Sequence, residues 1–154
     1  MSGEYSTSDG TMRVRITRLR ADVPLPEYQT GGAAGFDLAA SEEVSIAPGE
    51  VKLVPTGLVV EVPPGMFLGI FARSSTPPRR GLMVSNGVGV IDSDYCGPAD
   101  EVKIQVLNFT QQTVVVRAGD RIAQGIFLPA PRVLWDEARI SKPGSRGGFG
   151  STDR

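Results

Sequence analysis

VSIAPGEVKLVPTGLVVEVPPGMFLGIFA, residues 44–72, is a run of short β-rich segments broken at Pro-Gly corners. The corners are Ala47-Pro48-Gly49-Glu50 and Val62-Pro63-Pro64-Gly65. Proline fixes φ at one central position and glycine supplies φ > 0 at the next, so each reads as a type II turn. Between and beyond them, Val51 to Val54, Leu58 to Val62 and Met66 to Ala72 have strand composition. The punctuation returns downstream: Arg117-Ala118-Gly119-Asp120 separates Thr113–Arg117 from Arg121–Leu128, and Val102–Asn108 precedes both. Upstream, Met12 to Thr17 alternates apolar and polar residues, which predicts a half-buried strand with Arg13 and Arg15 toward water. No stretch sustains helical spacing for three turns. Many short strands with regular corners make this an all-β antiparallel sandwich or jelly roll rather than an α/β fold. Met66 to Phe71 is apolar on both faces, which implies burial beyond the sandwich core, as at an oligomer interface.

The totals narrow the chemistry. A chain of 154 residues is one domain's worth and can remove roughly 70% of its unfolded surface from water. A formal net charge of -1 gives no electrostatic case for stable nucleic-acid binding or for an anionic membrane. With no histidine and one cysteine, there is no His-dependent triad, no His ligand for zinc and no internal disulfide. Any base is therefore Asp, Glu, Lys or Tyr. No basic-then-apolar leader and no membrane-length apolar run is present, and a cytoplasmic location is expected. Residues 1–11 are small and polar and read as disordered, 12–141 as the β domain, and 142–154 as a flexible Gly-rich arm.

Three stretches carry candidate chemistry. Gly81 to Gly97, GLMVSNGVGVIDSDYCG, reads as a glycine-bounded hairpin that holds an amide, an aromatic and a candidate buried carboxylate, Asp92. Asp92 and Asp94 share one strand face unless the turn starts between them, and they serve either a ligand or the turn amides. Arg73-Ser74-Ser75-Thr76-Pro77-Pro78-Arg79-Arg80 joins guanidiniums to hydroxyls. It reads either as a phosphate cradle or as a solvated loop whose hydroxyls cap a short turn. In the arm, Phe149 stands between glycines with Arg146 before it and Ser151-Thr152 after, a composition suited to stacking on a base while closing on phosphates. Trp135, after Arg132-Val133-Leu134, reads as a packing residue on a last strand, and Cys96 as an inert thiol.

In order along the chain, Ala34-Gly35-Phe36-Asp37-Leu38, Arg73-Ser74-Ser75 through Gly81, Gly89-Val90-Ile91-Asp92-Ser93-Asp94-Tyr95, Gly119-Asp120-Arg121-Ile122-Ala123-Gln124 and Gly147-Gly148-Phe149-Gly150-Ser151-Thr152 resemble the five motifs of the homotrimeric dUTP diphosphatases. The resemblance covers about Val14 to the C-terminus. It implies a jelly-roll homotrimer with active sites shared between subunits, hydrolysing dUTP to dUMP and diphosphate with Mg²⁺. By similarity Asp92 is the general base, Tyr95 lies under the deoxyribose, and Asn86 pairs with the uracil edge. Arg73, Ser74, Ser75 and Gln124 match phosphate contacts, and Asp37 reaches the metal through water. Phe149 covers the base, while Arg146, Gly150, Ser151 and Thr152 close the arm over the site.

The chain also departs from the family pattern. Pro98-Ala99-Asp100 intervene between Gly97 and Glu101, where an enlarged turn or bulge is expected beside an intact catalytic hairpin. Gly144 stands where the arm's arginine is usual, which leaves Arg146 or Lys142 to replace it, and Arg79 stands where lysine is common. The related dCTP deaminases carry Gly-Phe in place of Asp94-Tyr95, and a catalytic glutamate in a Thr-Leu-Glu run that Val102–Asn108 lacks.

Overall fold

A computed structural model describes residues 11–139 and residue 144. The ends assigned to a disordered N-terminus and to the arm, including Lys142, Arg146, Phe149, Gly150, Ser151 and Thr152, lie outside the described residues. Eleven strands and one short helix follow in order: β1 Ile16–Arg18, β2 Phe36–Ala39, β3 Val44–Ile46, β4 Val51–Pro55, β5 Leu58–Val60, β6 Met66–Ala72, α1 Thr76–Arg80, β7 Leu82–Val84, β8 Gly89–Ile91, β9 Lys103–Asn108, β10 Val114–Val116 and β11 Arg121–Pro129. All their pairings are antiparallel. They build a four-stranded sheet β2-β11-β6-β8, a three-stranded sheet β4-β9-β7, and the pairs β1-β5 and β10-β3. The jelly-roll reading holds.

The corners form as their residues dictate. Gly49, Gly65 and Gly119 have φ of 70°, 81° and 85°, and the amides of Glu50, Met66 and Asp120 donate back to the carbonyls of Ala47, Pro63 and Arg117. Two corners gain a second tie, because the carboxylates of Glu50 and Asp120 accept from the amides of Ala47 (2.7 Å) and Arg117 (2.8 Å). Pro98-Ala99-Asp100 uses the same device. The Asp100 amide donates to the Gly97 carbonyl and its carboxylate accepts from the Gly97 amide at 2.7 Å, so the extra residues close on themselves as a tight turn.

Between the sheets lies an apolar core in which Leu38, Ile46, Val54, Leu68, Ile70, Leu82, Ile104, Val106, Val116 and Ile122 are fully buried. Strand β9 alternates as expected of a half-buried strand: Ile104, Val106 and Asn108 point in, while Lys103, Gln105 and Leu107 point out. Thr56, Thr76 and Asn108 are buried polar residues beside the apolar core, and each half of the Asn108 amide is satisfied. Its NH₂ donates to the carbonyls of Ile46 and Gln112, and its oxygen accepts from Thr110. Strand β6 is apolar on both faces. Leu68 and Ile70 fill the core, whereas Phe67 and Phe71 are half-buried on the outward face and close over Gly69.

Three expectations need correction. Gly81 to Gly97 is not a hairpin: β7 pairs with β9 and β8 with β6, so residues 85–88 carry the chain from one sheet to the other. Buried Leu82 and Val84 claim one sheet while Gly89 fits against Ile70 in the other, so long-range packing overrides the local turn signal. The first strand is confined to Ile16–Arg18, although Arg13 and Arg15 are exposed as expected. Trp135 lies on no strand and is 93% exposed. Beyond Pro129, Pro131 lacks an amide donor, and the segment finds no sheet partner among the described residues.

Candidate active site

The second and fourth motifs meet because β6 and β11 are neighbours. Gln124 on β11 faces Asp37 on β2 in one direction and Phe71 on β6 in the other, so the three form a row across the outward face of the sheet. Arg73 stands two residues past Phe71 on the same face. Its Nε lies 2.7 Å from Asp37 Oδ1, and Arg121 reaches Asp37 Oδ2 at 3.1 Å. The Asp37 side chain is only 11% exposed between the two guanidiniums. Gln124 donates to the Ala72 carbonyl at 3.1 Å. Gly35 is needed beside it, since a Cβ there would stand 2.9 Å from Gln124 Oε1. Small residues in the first motif thus make room for the amide of the fourth.

Residues 73–75 turn out of β6 into α1, with prolines opening the helix and Gly81 ending it at φ 64°. Ser75 occupies the N-cap position without a side-chain cap bond, and Ser74 is exposed. Neither hydroxyl has a partner among the described residues, so both remain available to a ligand. The arginines of this stretch divide. Arg80 is committed to Asp120 through two bonds of 2.7 and 2.9 Å, while Arg79 is exposed. The Arg80 hydrogen bond, helped by the Arg117 amide, holds the Asp120 carboxyl below its usual range. Sequence reasoning, which left this stretch as either a phosphate cradle or a solvated loop, missed this pairing, whose partner lies 40 residues away.

The third motif lies elsewhere. Strand β8 pairs Ile91 with Leu68, which brings Asp92 level with Phe67 at the start of β6. The turn begins directly after it, since the Tyr95 amide donates to the Asp92 carbonyl at 3.2 Å, and this separates the faces of Asp92 and Asp94. Asp92 is exposed in the single chain, not buried as expected, because it stands at an outer strand end with no strand or helix over it among the described residues. Tyr95 donates its hydroxyl to the Glu101 carbonyl at 3.2 Å. Asn86 is exposed in the turn before β8, where Gly87 takes φ 73°. Asp92 and Arg73 therefore share one face of the sheet at opposite ends of β6, about 20 Å apart at ~3.3 Å per residue.

The dUTPase family model matches residues 21–153. The chain belongs to the dUTPase family. It is 43% identical over 135 residues to the deoxyuridine 5'-triphosphate nucleotidohydrolase of Lactococcus lactis subsp. lactis, covering 86% of this chain and 89% of that protein. It is 45% identical over 150 residues to the protein of the same name from Desulfitobacterium hafniense, covering 92% and 97%. A solved dUTPase from Streptococcus mutans superposes with a TM-score of 0.72 at 40% identity, over 80% of this chain and 98% of that one. Within this dUTPase, one chain brings together Asp37, Arg73 and Gln124, with Ser74 and Ser75 following Arg73, and sets Asp92 at the other end of β6, while Asn86 stands before the end of β8 that pairs with Ile70.

Proposed function

We propose that this dUTPase hydrolyses dUTP to dUMP and diphosphate, which limits uracil incorporation into DNA and supplies dUMP for dTMP synthesis. The observation that carries the reading is the family match over residues 21–153, whose motifs include the cluster of carboxylate, guanidinium, hydroxyls and amide around Asp37. The names of the Lactococcus and Desulfitobacterium relatives point to the same reaction.

In the proposed mechanism, Arg73, the Ser74 and Ser75 hydroxyls and Gln124 grip the phosphate chain through charge-assisted and neutral hydrogen bonds. Asp92 orients a water and takes its proton as the water oxygen bonds to the α-phosphorus. The bond from that phosphorus to the bridging oxygen breaks, and diphosphate leaves with help from Ser74. Tyr95 lies under the deoxyribose and excludes a ribose 2′-hydroxyl. Asn86 and its turn amides pair with uracil, so that cytosine leaves buried polar groups unmatched. The arm closes as a lid: Phe149 over the base, and Arg146, Gly150, Ser151 and Thr152 over the phosphates.

Mg²⁺ fits this donor set as an ion carried mainly by the substrate's phosphates, because Asp37 already accepts from two guanidiniums. Each of its oxygens keeps a second lone-pair site, so Asp37 would hold the ion through water. When bound, the ion neutralises charge developing on the phosphates.

We further assign a homotrimer with shared sites. Its support is the separation along β6: about 20 Å of extended strand lies between the Asp92 and Arg73 positions of one chain, too far for both to act on one phosphate group. This favours a second copy supplying the missing half, and the number three rests on the resemblance to the homotrimeric dUTP diphosphatases. No helix among the described residues is long and apolar enough to cross a membrane, and we place the reaction in the cytoplasm, which cell fractionation checks.

The test is diphosphate release from dUTP, against dCTP, dTTP and UTP, for wild type and Asp92→Asn. The expected result is selective turnover of dUTP that falls at least about 100-fold in the variant. Deamination of dCTP would move the chain to the deaminase branch. Tight dUTP binding without turnover would leave a nucleotide-binding scaffold.

A further inference from the structure

Three consecutive residues at the entry to β11 each receive a side chain from the turn that follows β6. Arg73 donates to the Arg121 carbonyl at 2.9 Å, Thr76 donates its buried hydroxyl to the Ile122 carbonyl at 2.9 Å, and Arg80 forks onto Asp120. The spacing 73, 76, 80 is that of one helical face. Helix α1 has five residues, two of them prolines without an amide donor, and a single turn of helix is not stable by itself. Its orientation therefore comes from these ties to β11.

The Arg80–Asp120 pair is the outermost tie and the one farthest along the chain from the ligand groups. It is partly shielded, with side chains 33% and 27% exposed, and bidentate, so it fixes an angle as well as a distance. Asp120 is itself anchored twice: its carboxylate closes the Arg117–Asp120 corner and its carbonyl accepts from the Ala40 amide just beyond β2. The pair thus links the helix behind Ser74 and Ser75 to the strand that carries Asp37.

Resting on the dUTP reading above, we propose that Arg80 and Asp120 are positioning residues for phosphate recognition. They set the pose of Arg73, Ser74 and Ser75 relative to Gln124 without touching the substrate. Displacing such groups by an ångström weakens their grip on the phosphates and leaves the base and sugar contacts untouched.

The test compares wild type with Asp120→Asn, Arg80→Lys and Arg80→Ala. Asparagine can still accept from the Arg117 amide, so Asp120→Asn removes the charged fork and spares the corner. For each variant, kcat and KM for dUTP, Kd for a non-hydrolysable imido analogue of dUTP, Kd for deoxyuridine, and thermal stability are measured. The expected result for Asp120→Asn and Arg80→Ala is a rise of about tenfold in triphosphate KM and Kd, with deoxyuridine affinity within about twofold of wild type. Arg80→Lys, which keeps the charge but not the fork, falls between. Unchanged triphosphate affinity overturns the proposal, as does a loss of activity that only tracks thermal stability. A wild type that does not hydrolyse dUTP removes the dUTP reading itself, and this proposal with it.

Discussion

Asp37 holds two guanidiniums on one carboxylate, and that makes it an organiser of Arg73 before any ligand arrives. Arg73 in turn has one of its two terminal guanidinium nitrogens on the Arg121 carbonyl, so its direction is set from two sides while the other terminal nitrogen is left for a ligand. Replacing Asp37 with asparagine keeps the shape but leaves two neighbouring cations without a counter-charge. Because Arg73 and Arg121 retain contact with water, the stability loss is modest, about 1–2 kcal/mol. The functional loss is larger: KM for dUTP rises as Arg73 is released. Steady-state kinetics beside a denaturant titration separates the two, and equal KM with lower stability would count against an organising role for Asp37.

At the scale of elements, the turns carry the acid sensitivity. Asp120 has its carboxyl lowered from the usual 3.8, chiefly by Arg80. Glu50 is lowered by the Ala47 amide, and Asp22 by Arg20. A carboxyl depressed in the folded state stabilises fully above its unfolded value, and that stability disappears as pH falls through the folded value. Stability should therefore decline below about pH 4, with an Asp120→Asn chain declining less steeply, as thermal midpoints across an acid series would read. These same turns explain what the sequence disclosed. Pro48-Gly49 and Pro64-Gly65 are settled by two adjacent residues, so their conformation was legible, as were the strands between them and the cluster of Arg73 with Gln124. The partners of β7 and β8 depend on Leu107, Val106 and Gly69, which are far along the chain, and a local hairpin signal stood in their place. The Arg80–Asp120 pair is hidden from a local reading for the same reason. Trp135 was misplaced because an aromatic after two apolar residues has strand composition whether or not a partner strand exists for it.

For the whole molecule, the division of the site along β6 makes activity a property of neighbours. If Asp92 of one copy works with Arg73 of another, Asp92→Asn and Arg73→Ala chains are each inactive, yet a mixture refolded together regains a fraction of wild-type turnover. Mixed assemblies then contain some sites with both groups intact. No recovery after confirmed subunit exchange would place both groups in one chain's site. The outward face of β6 and β8, where Phe67 and Phe71 are half-buried and Val90 is 56% exposed, offers apolar area for such contacts. Trp135 adds a means of watching them form. It is the only tryptophan in the sequence, and it stands in open water beside a fully exposed Leu134. The protein thus has a built-in fluorophore, whose emission moves to the blue and escapes soluble quenchers when another copy covers it.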